Sequence, residues 1–273
     1  MHSRDMQVIG ICRFSYPAIG GFQVDHTTPE ERMAFLYDPK RMEERFRLFE
    51  SFTLPCLKAQ TDPDFTFLVI IGDSMPRRWR DRLTDLLADM PQAILQAHAP
   101  GPHRPVMKTA INSVRLKRDA PCLQFRMDDD DAVNIRYVER LREAAQDLRP
   151  LMLKNRHIAI DFNQGYIAAP NKHGIKATPV IEHLWTAGLA MAIRPGVDLT
   201  ILNFGHSKIS RFMPVTSFSG EDMFLRGHSD FNDSRQKKNV RPVKLDLLDD
   251  AGESHFRRVF NIDADQVRAR FSS

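Results

Sequence analysis

Cysteine is scarce, and what there is sits badly for structural work. The 273 residues hold three, Cys12, Cys56 and Cys122, an odd number, far apart and without metal-ligand spacing. That excludes a disulfide framework or a zinc ribbon and fits reduced thiols in a reducing compartment. Long apolar runs are missing too: none approaches the ~18 residues a membrane span needs. The leading MHSRDMQVIGIC is too polar, and its apolar run too short, for a signal peptide. No repeat or low-complexity tract interrupts the chain. Neither charge sign dominates, since Lys+Arg 39 against Asp+Glu 35 leaves a net +4. So small an excess does not argue for nucleic acid, and it fits an anionic small-molecule substrate or a patch that touches a membrane surface. With 42% hydrophobic and 27% charged residues, a globular cytoplasmic protein is expected, with the inner face of the membrane as its outer limit.

One dense feature stands against these absences. An apolar run bounded by Pro121, Leu123-Gln124-Phe125-Arg126-Met127, drives into Asp128-Asp129-Asp130-Asp131. Two like charges ~6 Å apart repel by roughly 0.7 kcal/mol in water, and by about four times that at an effective dielectric of 20. A solvated loop tolerates such a run. At the end of a buried strand it requires a cation, basic side chains or protonation.

The order of patterns around it selects that second setting. Met6 to Cys12 is a buried strand ending at Arg13, the strand edge where ligands bind in open α/β sheets. Met42, Phe46, Phe49 and Phe52 fall at helical spacing, in a helix that Pro55 kinks before Gln60. Phe65 to Ile71 is a second strand closing on Gly72-Asp73, and Ser74 is the expected N-cap of the next helix. Gln92 to Ala97 is a third strand, and His98 to Pro105 a proline-rich loop. Met107, Ala110, Ile111 and Val114 form a helical face, Pro121 to Met127 a fourth strand, and Asn134 caps a further helix. This alternation predicts a mostly parallel sheet flanked by helices. After residue 150 the pattern changes. His157 to Phe162 and Tyr166 to Ala169, joined by Asn163-Gln164-Gly165, read as a hairpin, and Gly188 to Ile193 as a strand. Residues 202–209 and 214–218 are short strands or loops, Ser219 to Leu225 a turn feeding a short helix, 226–241 a polar loop, and Phe256 to Phe260 a last helical turn or two. The halves are expected to be 1–150, the mostly parallel sheet, and 151–273, a smaller mixed-β part of the same domain.

Asp128 and Asp130 on an extended segment would point the same way, with Asp129 opposite. Such a pair suits Mg²⁺ or Mn²⁺ bound together with substrate phosphates, where the ion assists glycosyl or phosphoryl transfer. At this point the residues resemble a family. The Arg-x-Asp-x-Asp-Asp strand end is similar to GT-A glycosyltransferases of the inverting family 2, as are Leu54 to Gln60 followed by FTFLVIIGD, and Lys108-Thr109-Ala110-Ile111-Asn112. Together with the late Gly227-His228-Ser229-Asp230-Phe231-Asn232, the arrangement resembles bacterial rhamnosyltransferases.

The resemblance implies a GT-A-like fold and transfer from a nucleotide diphosphate sugar to a glycan, lipid-linked or small-molecule acceptor. It puts Asp73 on the nucleobase, Arg13 near the nucleotide, and Lys108 and Asn112 on the sugar side. Asp128 would touch the ribose or a metal water, and Asp130 the metal. His228 would meet the metal or the diphosphate. Asp222 would be the general base, with Glu221 the other candidate, although either could simply be a first-turn acid. The Gln-x-x-Arg-Trp motif common after that base is missing. A Mg²⁺-dependent nucleotidyl- or phosphotransferase, and a non-catalytic nucleotide-sugar-binding relative, are the competing expectations.

Overall fold

The computed structural model describes residues 6–20, 28–229 and 243–272. Four apolar runs become the parallel strands β1 (Gln7–Arg13), β2 (Thr66–Gly72), β3 (Ala93–His98) and β4 (Cys122–Met127). Between them lie the helices α1 (Pro29–Leu36), α2 (Pro39–Leu48), α3 (Leu54–Lys58), α4 (Arg77–Leu87) and α5 (His103–Ser113). Next come β5 (Ala132–Val133), α6 (Tyr137–Asp147), α7 (Arg149–Lys154) and the strands β6 (His157–Phe162), β7 (Gln164–Asn171), β8 (Gly174–Ile181) and β9 (Ala190–Ile193). The chain closes with β10 (Val215–Phe218), β11 (Phe224–Gly227), β12 (Asp246–Leu247), α8 (Asp250–Phe260) and α9 (Ala264–Phe271).

Among the described residues two sheets form. The main sheet has the order β10-β6-β9-β4-β1-β2-β3, parallel except for β9, and the smaller mixed sheet has the order β12-β8-β7-β11-β5. The halves interleave, because β6, β9 and β10 extend the main sheet while β5 belongs to the small one. Alternation along β1 sends Val8 and Cys12 into one core and Ile9 and Ile11 into the other, so both faces are covered. On the first face Phe14 packs on Phe46 and Phe49 with ring centroids 4.9 and 5.1 Å apart, contacts worth about 1 kcal/mol each beyond their buried area.

The long helix absorbs Pro55 without a break. Between α2 and α3 the residues Phe49–Thr53 form a π-turn, and the Leu54 amide donates to Phe49 O. The wider turn makes room for a ring whose nitrogen cannot donate.

Four expectations are corrected. Strands β6 and β7 are not a hairpin; they lie in different sheets, and β7 pairs instead with β8 around a tight turn at Lys172-His173. Gly165 serves a close approach rather than a turn: a Cβ there would stand 2.0 Å from Phe224 O on the parallel β11. Phe224 and Leu225 begin a strand rather than a helix, because they are buried between β5 and β7. Ser74 does not cap α4, which starts at Arg77 after Pro76, and the Ser74 hydroxyl faces Tyr37 and Met33 instead. The proline-rich stretch is not all loop, since α5 begins at His103 and Pro105 occupies the first turn, where no amide hydrogen is needed. Residues 230–242 of the expected polar loop lie outside the described residues.

Candidate active site

The strand order reverses direction between β1 and β4, so a crevice opens at their carboxyl ends. The acidic run sits there, and it is not extended. The Asp131 amide donates to Asp128 O at 3.2 Å, closing a turn with Asp129 and Asp130 at its tip. The alternation expected for Asp128 and Asp130 therefore fails, and their side chains go to different places. Asp128 stays at the crevice, its side chain 40% exposed, with Oδ1 3.2 Å from Arg13 Nη2. Asp130 is turned inward, its side chain 6% exposed, 3.2 Å from Arg45 Nη2. Arg45 also donates from Nε to Asp129 Oδ2 at 3.0 Å, so one buried guanidinium serves two carboxylates.

Asp131 is satisfied by backbone. Its Oδ2 accepts from the Asp128 amide at 3.0 Å and its Oδ1 from Gly227 at 3.3 Å. Burial, then the charges of Asp130 and Asp128, push its carboxyl well above the usual range. Burial works against the charge of Asp128 as well, but Arg13, Arg126 and Arg45 hold that carboxyl below its usual range. Basic side chains and backbone amides thus relieve the repulsion within the run.

The crevice is rich in guanidinium. Arg126 is half-buried at the end of β4, and desolvation together with Arg13 brings it down to about 10. Arg13 Nη1 donates to His103 Nε2 at 3.0 Å. Burial, Arg13, Arg126 and Arg104 bring His103 down to about 3, which keeps it a neutral acceptor. Arg226 on β11 lies over the Trp185 ring, 4.7 Å from its centroid, and its charge reaches both Asp131 and His206.

Other predicted residues divide between near and far. Asp73 follows β2 at the same sheet edge, exposed, its charge felt by Tyr16 and Tyr37. Lys108 is half-buried on α5, five residues beyond His103. Asn112, near the far end of α5, donates to Asp198 O at 2.8 Å and braces a loop away from the crevice. His228 follows Gly227, where a Cβ would stand 2.2 Å from Asp130 O, so the chain carrying His228 is pressed against the acidic turn. Asp222 lies before the opposite end of β11, about 16 Å away at ~3.3 Å per residue. Its carboxylate accepts from Gln164 at 3.0 Å and meets His255 Nε2 at 2.8 Å, and Glu221 pairs with Arg140 at 3.1 Å. The structure does not bring Asp222 or Glu221 to Asp128.

A divalent cation shared by Asp128 and Asp130 does not fit this donor set. Asp129 and Asp130 are committed to Arg45 and Asp131 to amides, which leaves Asp128 alone with an accessible carboxylate oxygen. Among the described residues no group of three or more His, Cys, Asp or Glu could hold a metal.

Residues 7–241 match the family model described as "Putative rhamnosyl transferase". The chain belongs to this rhamnosyl transferase family. No curated protein matches it. Among solved structures, TarS 1–349 of S. aureus in complex with UDP-GlcNAc is similar at TM-score 0.47 and 10% identity, over 85% of this chain and 61% of that one. The chain thus spans less than two thirds of the TarS structure's length. A Desulfovibrio desulfuricans G20 protein described as a "putative nucleotide-diphospho-sugar transferase" gives TM-score 0.36 and 11% identity, over 100% and 95%. A Bacillus anthracis protein described as a "Putative Glucose-1-Phosphate Thymidylyltransferase" gives 0.38 and 11%, over 87% and 98%.

Proposed function

We propose that this chain is an inverting glycosyltransferase that moves a sugar, rhamnose on the strength of its family, from a nucleoside diphosphate to an acceptor hydroxyl. The observation that carries the reading is the Arg13–Asp128 pair at the crevice between β1 and β4, the place in an open α/β sheet where a nucleotide binds. The accessible oxygen of Asp128 is suited to ribose hydroxyls. Asp73, whose charge Tyr16 and Tyr37 feel, would contact the nucleobase. Arg13, Arg126 and Arg226 supply positive charge where a diphosphate would leave, and a buried, fixed guanidinium stabilises such charge more than a solvated one. A single displacement inverts the anomeric centre.

The test is thermal stabilisation of the purified protein by UDP, GDP and dTDP, each with and without Mn²⁺. The right nucleotide at ~100 times its Kd adds about 2.7 kcal/mol. If none of the three shifts the melting point, the reading fails. Stabilisation that appears only with Mn²⁺ would restore the cation to the donor site.

A further inference from the structure

A second acid occupies the carboxyl edge of the main sheet, apart from the acidic turn. Asp161 is the penultimate residue of β6. Through β9, Ile160 stands level with Phe125, so Asp161 stands level with Arg126, two strands or roughly 10 Å away. Alternation from Ala159 and Cys122 turns Asp161 and Arg126 to the same face of the sheet. The Asp161 side chain is 3% exposed; its Oδ2 accepts from Ser217 Oγ at 2.9 Å and its Oδ1 from the Leu184 amide at 3.1 Å. His183 Nδ1 lies 3.6 Å from Asp161 Oδ2, while the ring is 65% exposed.

The loop that carries His183 is built into the crevice wall. It leaves β8 in the small sheet and enters β9 in the main one. Leu184 has φ +59, an unusual conformation for a branched side chain. Hydrogen bonds hold it there on both sides, from its amide to Asp161 and between its carbonyl and His206 Nδ1 at 2.7 Å. Trp185 carries Arg226 over its ring, and the Gly188 amide donates to Arg126 O at 3.0 Å. Of these neighbours, Arg126 and Arg226 act on the carboxyls of the acidic turn and His206 feels the charge of Asp128, and a strained backbone held this firmly is typical of functional sites.

We propose that His183 is the general base that takes the proton of the acceptor hydroxyl, with Asp161 as its positioning residue. This rests on the transferase reading above. The acceptor oxygen bonds to the anomeric carbon, and the bond from that carbon to the diphosphate breaks with its electron pair leaving on the nucleoside diphosphate. The acceptor proton passes to His183 Nε2, and the imidazolium then faces Asp161 until it releases the proton to solvent. The tautomer is a contest at Nδ1. Asp161 Oδ2 and Ser217 Oγ, the latter at 3.4 Å, favour a proton there, whereas Asn163 Nδ2, also at 3.4 Å, is a donor. The Asp161 charge, 3.6 Å from Nδ1, favours Nδ1–H and so leaves the Nε2 lone pair free for a proton, although burial, which pushes the Asp161 carboxyl up, works against that charge. Glu182 on the same loop, and Arg126, Arg226 and His206 beyond it, are the other charged or titratable neighbours.

The experiment measures release of nucleoside diphosphate from dTDP-, UDP- and GDP-linked sugars, with water as the acceptor, across the pH range in which imidazole titrates. His183→Asn and His183→Ala are expected to lower kcat by about 100-fold or more, to keep the stabilisation by nucleotide, and to lose the acid limb of the pH profile. Asp161→Asn leaves the Asn163 donor to set the tautomer, so it is expected to lower kcat and move that limb to lower pH. A His183→Asn enzyme with the wild-type rate and profile overturns the proposal. So does a loss confined to Asp222→Asn. If the wild type releases nothing from any donor and binds no nucleotide, the transferase reading itself falls and takes this base with it.

Discussion

Arg45 reaches 84 residues along the chain to Asp129, donating from Nε to Oδ2 at 3.0 Å, and the same guanidinium meets Asp130. This contact sets the charge balance of the crevice. Arg45→Ala leaves two buried carboxylates without a partner, and breaking a buried pair costs about 3–5 kcal/mol. Denaturant unfolding at neutral pH is the measurement. Arg45→Lys is expected to recover only part of the loss, because an ammonium is a point charge that cannot fork between two carboxylates.

Arg13 joins the acidic turn to α5. Arg13→Ala removes a cation from Asp128 and from the place assigned to the diphosphate. Loss of a hydrogen bond to a charged group is worth about 1.5–3 kcal/mol, so nucleotide affinity is expected to fall about 10- to 100-fold. Calorimetric titration with the stabilising nucleotide measures this, and an unchanged Kd would remove Arg13 from the donor site.

His103 makes stability depend on pH. Its folded value of about 3 lies below the ordinary histidine value of 6.5, so between those limits the unfolded chain binds the extra proton. Stability is complete above pH ~6.5 and falls by about 1.4 kcal/mol per pH unit below it. His103→Asn is expected to flatten this slope between pH ~6.5 and ~5, where the wild type loses about 2 kcal/mol. Asp128, with its lowered carboxyl, adds to the acid loss only below the ordinary carboxylate range, so the two groups separate along the pH axis.

Gly227 fixes the distance between β11 and the turn. A Cβ there would meet Asp130 O at 2.2 Å, backbone that cannot swing aside. Gly227→Ala is expected to cost about 1–3 kcal/mol as overpacking. It should also weaken the stabilisation by nucleotide, because the turn is displaced. Melting curves with and without nucleotide separate the two effects.

The first half of the fold was legible because buried parallel strands are written as unbroken apolar runs, as in Phe67-Leu68-Val69-Ile70-Ile71. The second half was not, because strands β6 and β7 are adjacent in sequence yet serve different sheets, which no period reveals. The charge of the acidic run signalled its need for cations, but not which ones. Arg45 left a trace: it falls three residues after Met42 and four before Phe49, inside the apolar stripe of α2, where a surface arginine does not belong. Arg126 likewise sits within a buried strand. His183 and Asp161 left no trace, since their meeting depends on a loop that crosses between sheets.

The long helix with the π-turn touches the acidic segment at every step. Arg45 bonds Asp129 and Asp130, Thr53 donates to Asp131 O at 2.8 Å, Cys56 Sγ accepts from the Val133 amide at 3.4 Å, and Gln60 donates to Asn134 O at 2.8 Å. It acts as a splint. The carboxylates are therefore locked in place before any donor arrives. On the transferase reading, nucleotide affinity would then carry no discount for a fraction of molecules caught in the wrong shape.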